Sequence, residues 1–242
     1  MGRRLSNRRL EGAPRLLNVA EHLYTLEQIS AAILTRIKEV AEANLGRPVS
    51  QAVITVPAYF NERQRSSVRE AGRMAGFEVL RILNEPTAAA LVYGLGKRTN
   101  QRIAVYDLGG GTFDLSIIDI KGRVYEVVAT GGDTFLGGVD FDDRLMQFVL
   151  EDFHSKHKVD LSFDRKAIQR IRDAAEATKI ALSAHDQAHI QLERITERDG
   201  VGIDVDLLVT RATLESLTLD LVRRTISTAK RIFKDAGCRP TD

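Results

Sequence analysis

The stretch Asp107-Leu108-Gly109-Gly110-Gly111-Thr112-Phe113-Asp114 constrains this chain more than any other part of it. It follows the apolar run Ile103-Ala104-Val105-Tyr106 and precedes Leu115-Ser116-Ile117-Ile118, so it reads as a strand, a tight glycine turn and a second strand. Three successive glycines leave backbone N–H groups uncovered and free to take positive φ, which lets an anion sit directly against the main chain. A carboxylate at each end and a hydroxyl in the turn complete the set that a triphosphate with Mg²⁺ requires. A plain hairpin would use the glycines for its turn alone, and it would rarely set Asp at both strand ends beside Thr.

Upstream, Thr25-Leu26-Glu27-Gln28 has the form of a capping box. Leu26, Ile29, Ile33, Ile37 and Val40 then recur at helical spacing until Asn44-Leu45-Gly46 and Pro48, which predicts an amphipathic helix. Gln51 to Val56 is a nearly continuous β-branched run ending at Pro57, the pattern of a strand buried on both faces. Asn61 is placed to cap a helix that buries Val68, Ala71 and Ala75 and stops at Gly76, and Phe77 to Leu83 reads as the next strand. Alternating helices and strands predict an α/β layer. Asn84-Glu85-Pro86-Thr87 joins that strand to a small-residue helix, Ala88 to Tyr93, and sets the Glu85 carboxylate where ligands gather in open sheets, although an acid there also suits a helix dipole.

Downstream, Leu115 to Ile120 and Val124 to Ala129 read as a β-meander closed by a second glycine-bearing loop, Gly131 to Gly138. Helices are expected over about 141–157 and 167–183, two polar strands around Asp199-Gly200, and a long helix from Thr210 to about Gly237. This second half has the character of a separate lobe.

Composition narrows the partners. With 43% hydrophobic residues among 242, the chain can bury a sizeable core in one domain or two compact lobes. Its 35 basic against 33 acidic residues give no sustained field, so neither nucleic acid nor a membrane is an expected partner. Arg3, Arg4, Arg8, Arg9 and Arg15 cluster in a segment, residues 1–24, that is expected to be a solvated, disordered tail. The single Cys238 permits no internal disulfide, and no apolar run approaches a membrane span or a signal core, so a cytoplasmic location is expected. A P-loop is excluded, because Gly96-Lys97 is followed by Arg98 and lacks its upstream glycine.

Val56-Pro57-Ala58-Tyr59-Phe60-Asn61, Asn84-Glu85-Pro86-Thr87-Ala88-Ala89-Ala90, the Asp107–Asp114 stretch and Gly132-Asp133-Thr134 through Gly138 occur in one order and spacing. Together they closely resemble the ATPase domain of the seventy-kilodalton heat-shock chaperones, the bacterial DnaK type, from about Thr25 to Gly237. The resemblance implies an actin-like, ribonuclease H-like α/β fold of two lobes around a nucleotide cleft. Part of the first lobe would span 25–100 and part of the second 101–242. The second would comprise a sheet subdomain, 101–137 with 211–242, and a smaller one, 138–210. ATP binding and hydrolysis would then drive a separate peptide-binding domain in protein folding and the heat-shock stress response.

Carried over by motif, Gly109, Gly110 and Gly111 hold the β- and γ-phosphates of ATP or ADP and Thr112 contacts the γ-phosphate. Asp107 and Glu85 act on Mg²⁺ through bound water, and Asp114 lies near the attacking water, a mixture of clamp and metal that phosphoryl transfer needs. Gly138 adjoins the nucleotide, Glu176, Lys179 and Ser183 match the adenosine-side helix, and Pro57 and Arg65 match an interlobe switch. Their plainer readings are a solvated helix face and a strand terminator. The chain departs from the pattern at Ile180, where some members carry a base, and at Val139, where an acid is usual. A J-domain cochaperone and a nucleotide-exchange factor are the partners implied.

The family's first phosphate hairpin and its lysine are expected before residue 1, and its second adenosine loop and peptide-binding domain after Asp242. Hydrolysis by this chain alone is therefore expected to be slow or absent, since each missing charge removes preorganised stabilisation. The competing expectation is a catalytically inactive, nucleotide-independent interaction module, or a relic of a chaperone. A sheet without its hairpin partner is also expected to leave a strand edge and apolar surface uncovered, which makes the isolated chain marginal or aggregation-prone.

Overall fold

The computed structural model describes residues 16–19, 22–94 and 100–241. The arginines from Arg3 to Arg15 and the Gly96-Lys97-Arg98 stretch lie outside them. The chain divides into two compact units, Met1–Val92 and Tyr93–Asp242.

In the first unit, β1 (Leu16–Val19) pairs antiparallel with β2 (His22–Thr25), so the last part of the expected tail is a short hairpin. α1 (Leu26–Leu45) opens on the predicted capping box, with the Gln28 N–H donating to Thr25 Oγ1 at 3.2 Å and the Thr25 N–H to Gln28 Oε1 at 2.8 Å. It closes at Gly46, whose φ of 64° is left-handed. β3 (Gln51–Val56) and β4 (Glu78–Asn84) are parallel, with α2 (Glu62–Met74) as their crossover, and α3 (Glu85–Gly94) follows β4 directly. α3 begins at Glu85 rather than Ala88, because Pro86 has no N–H to lose in the first turn.

Two expectations fail here for one reason. The α1 stripe does not face a core: Ile33, Ile37 and Val40 are exposed, and the side turned inward carries Ala31 instead. Nor is β3 buried on both faces, since Val53 and, on β4, Leu80 are more than half exposed. The described residues of this unit cover one side of its two strands and helices and leave these side chains exposed on the other.

In the second unit, β5 (Asn100–Leu108), β6 (Phe113–Lys121) and β7 (Val124–Asp133) form the predicted antiparallel meander with β6 in the middle. Phe113, Leu115, Ile117, Ile118 and Ile120 of β6 are all buried. α4 (Gly138–His157), α5 (Arg165–Leu182), the antiparallel pair β8 (Gln187–Arg198) and β9 (Val201–Thr210), and α6 (Arg211–Asp235) complete it. One core joins Leu145 and Val149 of α4, Ile171 and Leu182 of α5, and Ile190 and Val209 of the β8–β9 pair. The other joins Phe113, Leu115 and Ile117 to Leu221 and Ile232 of α6, with Leu136 between them. No helix among the described residues is long and apolar enough to cross a membrane.

Gly131 and Gly132, expected in a loop, instead continue β7, opposite Leu115 and Asp114. They are glycines because of what crowds them: a Cβ on Gly131 would meet Ile232 Cδ1 at 3.2 Å, and one on Gly132 would overlap the Phe113 carbonyl oxygen. α4 starts three residues earlier than periodicity suggests. Asp140 Oδ2 accepts the Gly137 N–H at 2.8 Å and so caps the helix start without an apolar signal.

Candidate functional site

The glycine turn is held from below by the hairpin and from the side by α4. Gly109 N–H donates to the Thr112 carbonyl at 2.9 Å and closes the turn. Gly138 N–H donates to the Gly109 carbonyl at 2.9 Å and Val139 N–H to that of Gly110 at 2.8 Å, so the first turn of α4 is bonded to the loop. Gly137 is the hinge of this contact, because a Cβ there would overlap the Gly110 carbonyl carbon and the Gly111 nitrogen. None of Gly109, Gly110 and Gly111 takes positive φ, which corrects the expected reason for the glycines. Their use is access: a Cβ on Gly110 or Gly111 would point into open space, and among the described residues nothing accepts from their N–H groups. Backbone donors without an internal acceptor are what an anion needs.

The carboxylates converge on the same place. Antiparallel register sets Asp107 directly opposite Asp114. Burial and the Asp107 charge push the Asp114 carboxyl above its ordinary range, with a hydrogen bond from the Thr112 side chain opposing the shift. Like charges opposite one another on a ladder repel, and a proton or a cation between them relieves that repulsion. Gly132 makes the arrangement possible, since any Cβ would also press on Asp114 Oδ1, at 2.6 Å. Next to it, Arg224 of α6 pairs with Asp133 at 2.6 Å and also donates to the Phe135 carbonyl at 3.3 Å, which ties down the loop that leads into α4. That pairing, helped by the Phe135 N–H, holds the Asp133 carboxyl below its ordinary range.

On α5, Lys179 reaches the same helix start. Its Nζ lies 2.8 Å from Asp142 Oδ2, 2.7 Å from Oδ1 and 3.2 Å from the Gly138 carbonyl. Asp142 is 8% exposed, and both of its carboxylate oxygens lie against the Lys179 ammonium. Glu176 and Ser183 are exposed on the same helix, Ser183 at its C-terminus, and neither shares the Lys179 contacts. Val139 and Ile180, the two departures, are 52% and 62% exposed.

The first unit holds the remaining sequence candidates. Arg65 folds back on the turn after Pro57, its Nε donating to the Phe60 carbonyl at 2.9 Å and its Nη2 to that of Ala58 at 3.2 Å. The Phe60 N–H donates to the Pro57 carbonyl at 3.1 Å, so the two switch candidates belong to one bonded turn. Glu85 opens α3 beside Asn84, whose buried Oδ1 lacks a hydrogen bond.

Of the sequence candidates the structure brings together the loop, Asp107 and Asp114, with Lys179 at the start of α4, and it adds Gly132, Gly137 and Asp142 beside them. The glycines carried a signal, four in eight residues, but their roles depend on which neighbour each one admits. Asp142 carried none, being one of three aspartates in Asp140-Phe141-Asp142-Asp143. A family model described as Hsp70 protein matches residues 10–242 of the chain.

Proposed function

Since the chain belongs to the Hsp70 protein family, a family of ATP-binding chaperones with an actin-like ATPase fold, we propose that it carries the nucleotide half-site of such an ATPase on its second unit. ATP or ADP with Mg²⁺ is the ligand. Gly109, Gly110, Gly111 and Thr112 would hold the terminal phosphates and Gly138 would adjoin them. Asp107 and Glu85 would act on the metal through water, Asp114 would lie near the attacking water, and Glu176, Lys179 and Ser183 would face the nucleoside. Bound Mg²⁺ would supply charge neutralisation at the transferring phosphoryl group. Pro57 and Arg65 would relay nucleotide state between two lobes to a peptide-binding domain, with a J-domain cochaperone and an exchange factor as partners in the cytoplasm.

The observation that supports this most is the Asp107–Asp114 pair, set opposite each other on the ladder with Thr112 bonded to Asp114, in a turn whose Gly110 and Gly111 N–H groups have no acceptor among the described residues. A cation bound there would relieve the repulsion between the two carboxylates. The test is the melting temperature of the purified chain with and without Mg-ATP, because a ligand of the native state stabilises it by mass action, about 2.7 kcal/mol at a hundredfold excess over Kd. A rise that Thr112→Val abolishes supports the site, and phosphate release in the same samples reads hydrolysis separately.

A second reading, a nucleotide-independent interaction module, is favoured by Val139 and Ile180, which put apolar surface where charge is usual in the family. A cooperative melt with no response to nucleotide is its signature.

A further inference from the structure

Asp142 is buried, and among the described residues its ion pair is with Lys179 of the adjacent helix, whose ammonium reaches both carboxylate oxygens. The Lys179 ammonium also donates to the carbonyl of Gly138 at 3.2 Å. Gly138 in turn passes the contact on: its N–H and that of Val139 bond the carbonyls of Gly109 and Gly110. The space for the ammonium exists because residue 138 has no side chain, a Cβ there lying only 3.3 Å from Nζ. A buried carboxylate of this kind is costly without a partner, so it holds the lysine strongly in place.

We propose that Asp142 is a positioning residue: it fixes the Lys179 ammonium on the Gly138 carbonyl, and through it α5 clamps the first turn of α4 onto the glycine loop. Lys179 thus does two things, bracing the loop's backbone and standing beside the nucleotide. The clamp rests on the reading of this loop as a phosphate site only for its consequence, since the contacts themselves are made without ligand.

Two measurements on the full chain separate the clamp from that reading. The first is amide hydrogen exchange without nucleotide. Asp142→Asn should raise exchange at Gly138 and Val139 by about tenfold or more, while Ile117 and Ile118 in β6 stay protected, because the opening is local. Unchanged exchange at Gly138 and Val139, or an equal rise across the whole second unit, overturns the proposal. If Asp142→Asn does not fold, Lys179→Met is read in the same way, with the same expectation.

The second is binding of ADP and of adenosine by titration calorimetry. Asp142→Asn should weaken ADP about tenfold and adenosine, which does not reach the loop, by less, and in the Lys179→Met background Asp142→Asn should cost ADP binding little more. Equal losses for both ligands, or independent losses from the two substitutions, also overturn it. Failure of the unaltered chain to bind either ligand sinks the phosphate-site reading, and the exchange result still decides the clamp.

Discussion

The two units solve the same problem with different material. Among the described residues the first buries Ala31, Ala71, Ala75 and Ala90, with Val56, Phe77 and Pro86 the larger side chains, and leaves Ile33, Ile37, Val53 and Leu80 outside. The second buries Phe113, Ile117, Leu145, Val149, Phe153, Ile171 and Ile232 in two cores. Hydrophobic stabilisation follows apolar area removed from water, so alanines contribute little and large side chains dominate. The second unit can therefore hold an unfavourable pair such as Asp107 and Asp114, whereas the first has little stability to set against any strain. A site needs a rigid base, and the loop here is mounted on the better-packed unit.

The sharpest way to break this contrast is to remove one large side chain from each unit. Ile171→Ala opens a cavity in the larger core and should cost about 3–5 kcal/mol in urea unfolding, whereas Ile33→Ala, 58% exposed, should cost under about 0.5 kcal/mol. Equal losses would mean that the α1 stripe is covered in solution. The next largest effect lies at the site. Gly137→Ala forces a methyl onto the Gly110 carbonyl carbon and the Gly111 nitrogen. A backbone clash cannot be relieved by a rotamer, so about 1–3 kcal/mol of stability should be lost, together with the Mg-ATP shift in melting temperature.

These positions also mark what the sequence could tell. Caps at Thr25 and Asn61, the βαβ unit and the meander were legible because their signals are local: a capping box, a β-branched run, glycines at a turn. The loop and its aspartates were legible for the same reason. Which face of α1 is buried was not, because periodicity marks an apolar stripe and says nothing of what covers it. Gly131 and Gly132 misled, since a glycine pair signals a loop equally when it is a strand making room for Ile232 and Asp114. The Asp142–Lys179 pair joins residues 37 apart, a distance no local pattern spans.

A smaller effect tests the site's own charge. The folded-state pKa of Asp114 is raised by burial and by Asp107, so the native state binds the proton more tightly than the unfolded chain. Stability is then lost as pH rises from the ordinary Asp range through the raised folded-state value. Asp114→Asn should thus raise the melting temperature at pH 7 by about 1–3 °C, with the gain vanishing toward low pH. The same change should weaken the response to Mg-ATP, separating stability from binding. A variant that melts lower at pH 7 would show that the Thr112 hydrogen bond outweighs the repulsion.

The smallest expected change in stability probes the first unit's open side. Ile33 and Ile37 lie one turn apart on α1, both more than half exposed, with Val40 beyond them. Contiguous apolar surface of this kind associates in water, since burying it against another copy recovers the free energy that the fold leaves unused. Replacing both by Ser should therefore leave the melting temperature within about 2 °C and lower light scattering at equal concentration. Because the substitution spares the second unit, Mg-ATP should shift the variant as it shifts the parent chain. A large drop in melting temperature with unchanged scattering would reverse the contrast, making the stripe part of a core and the first unit as dependent on large side chains as the second.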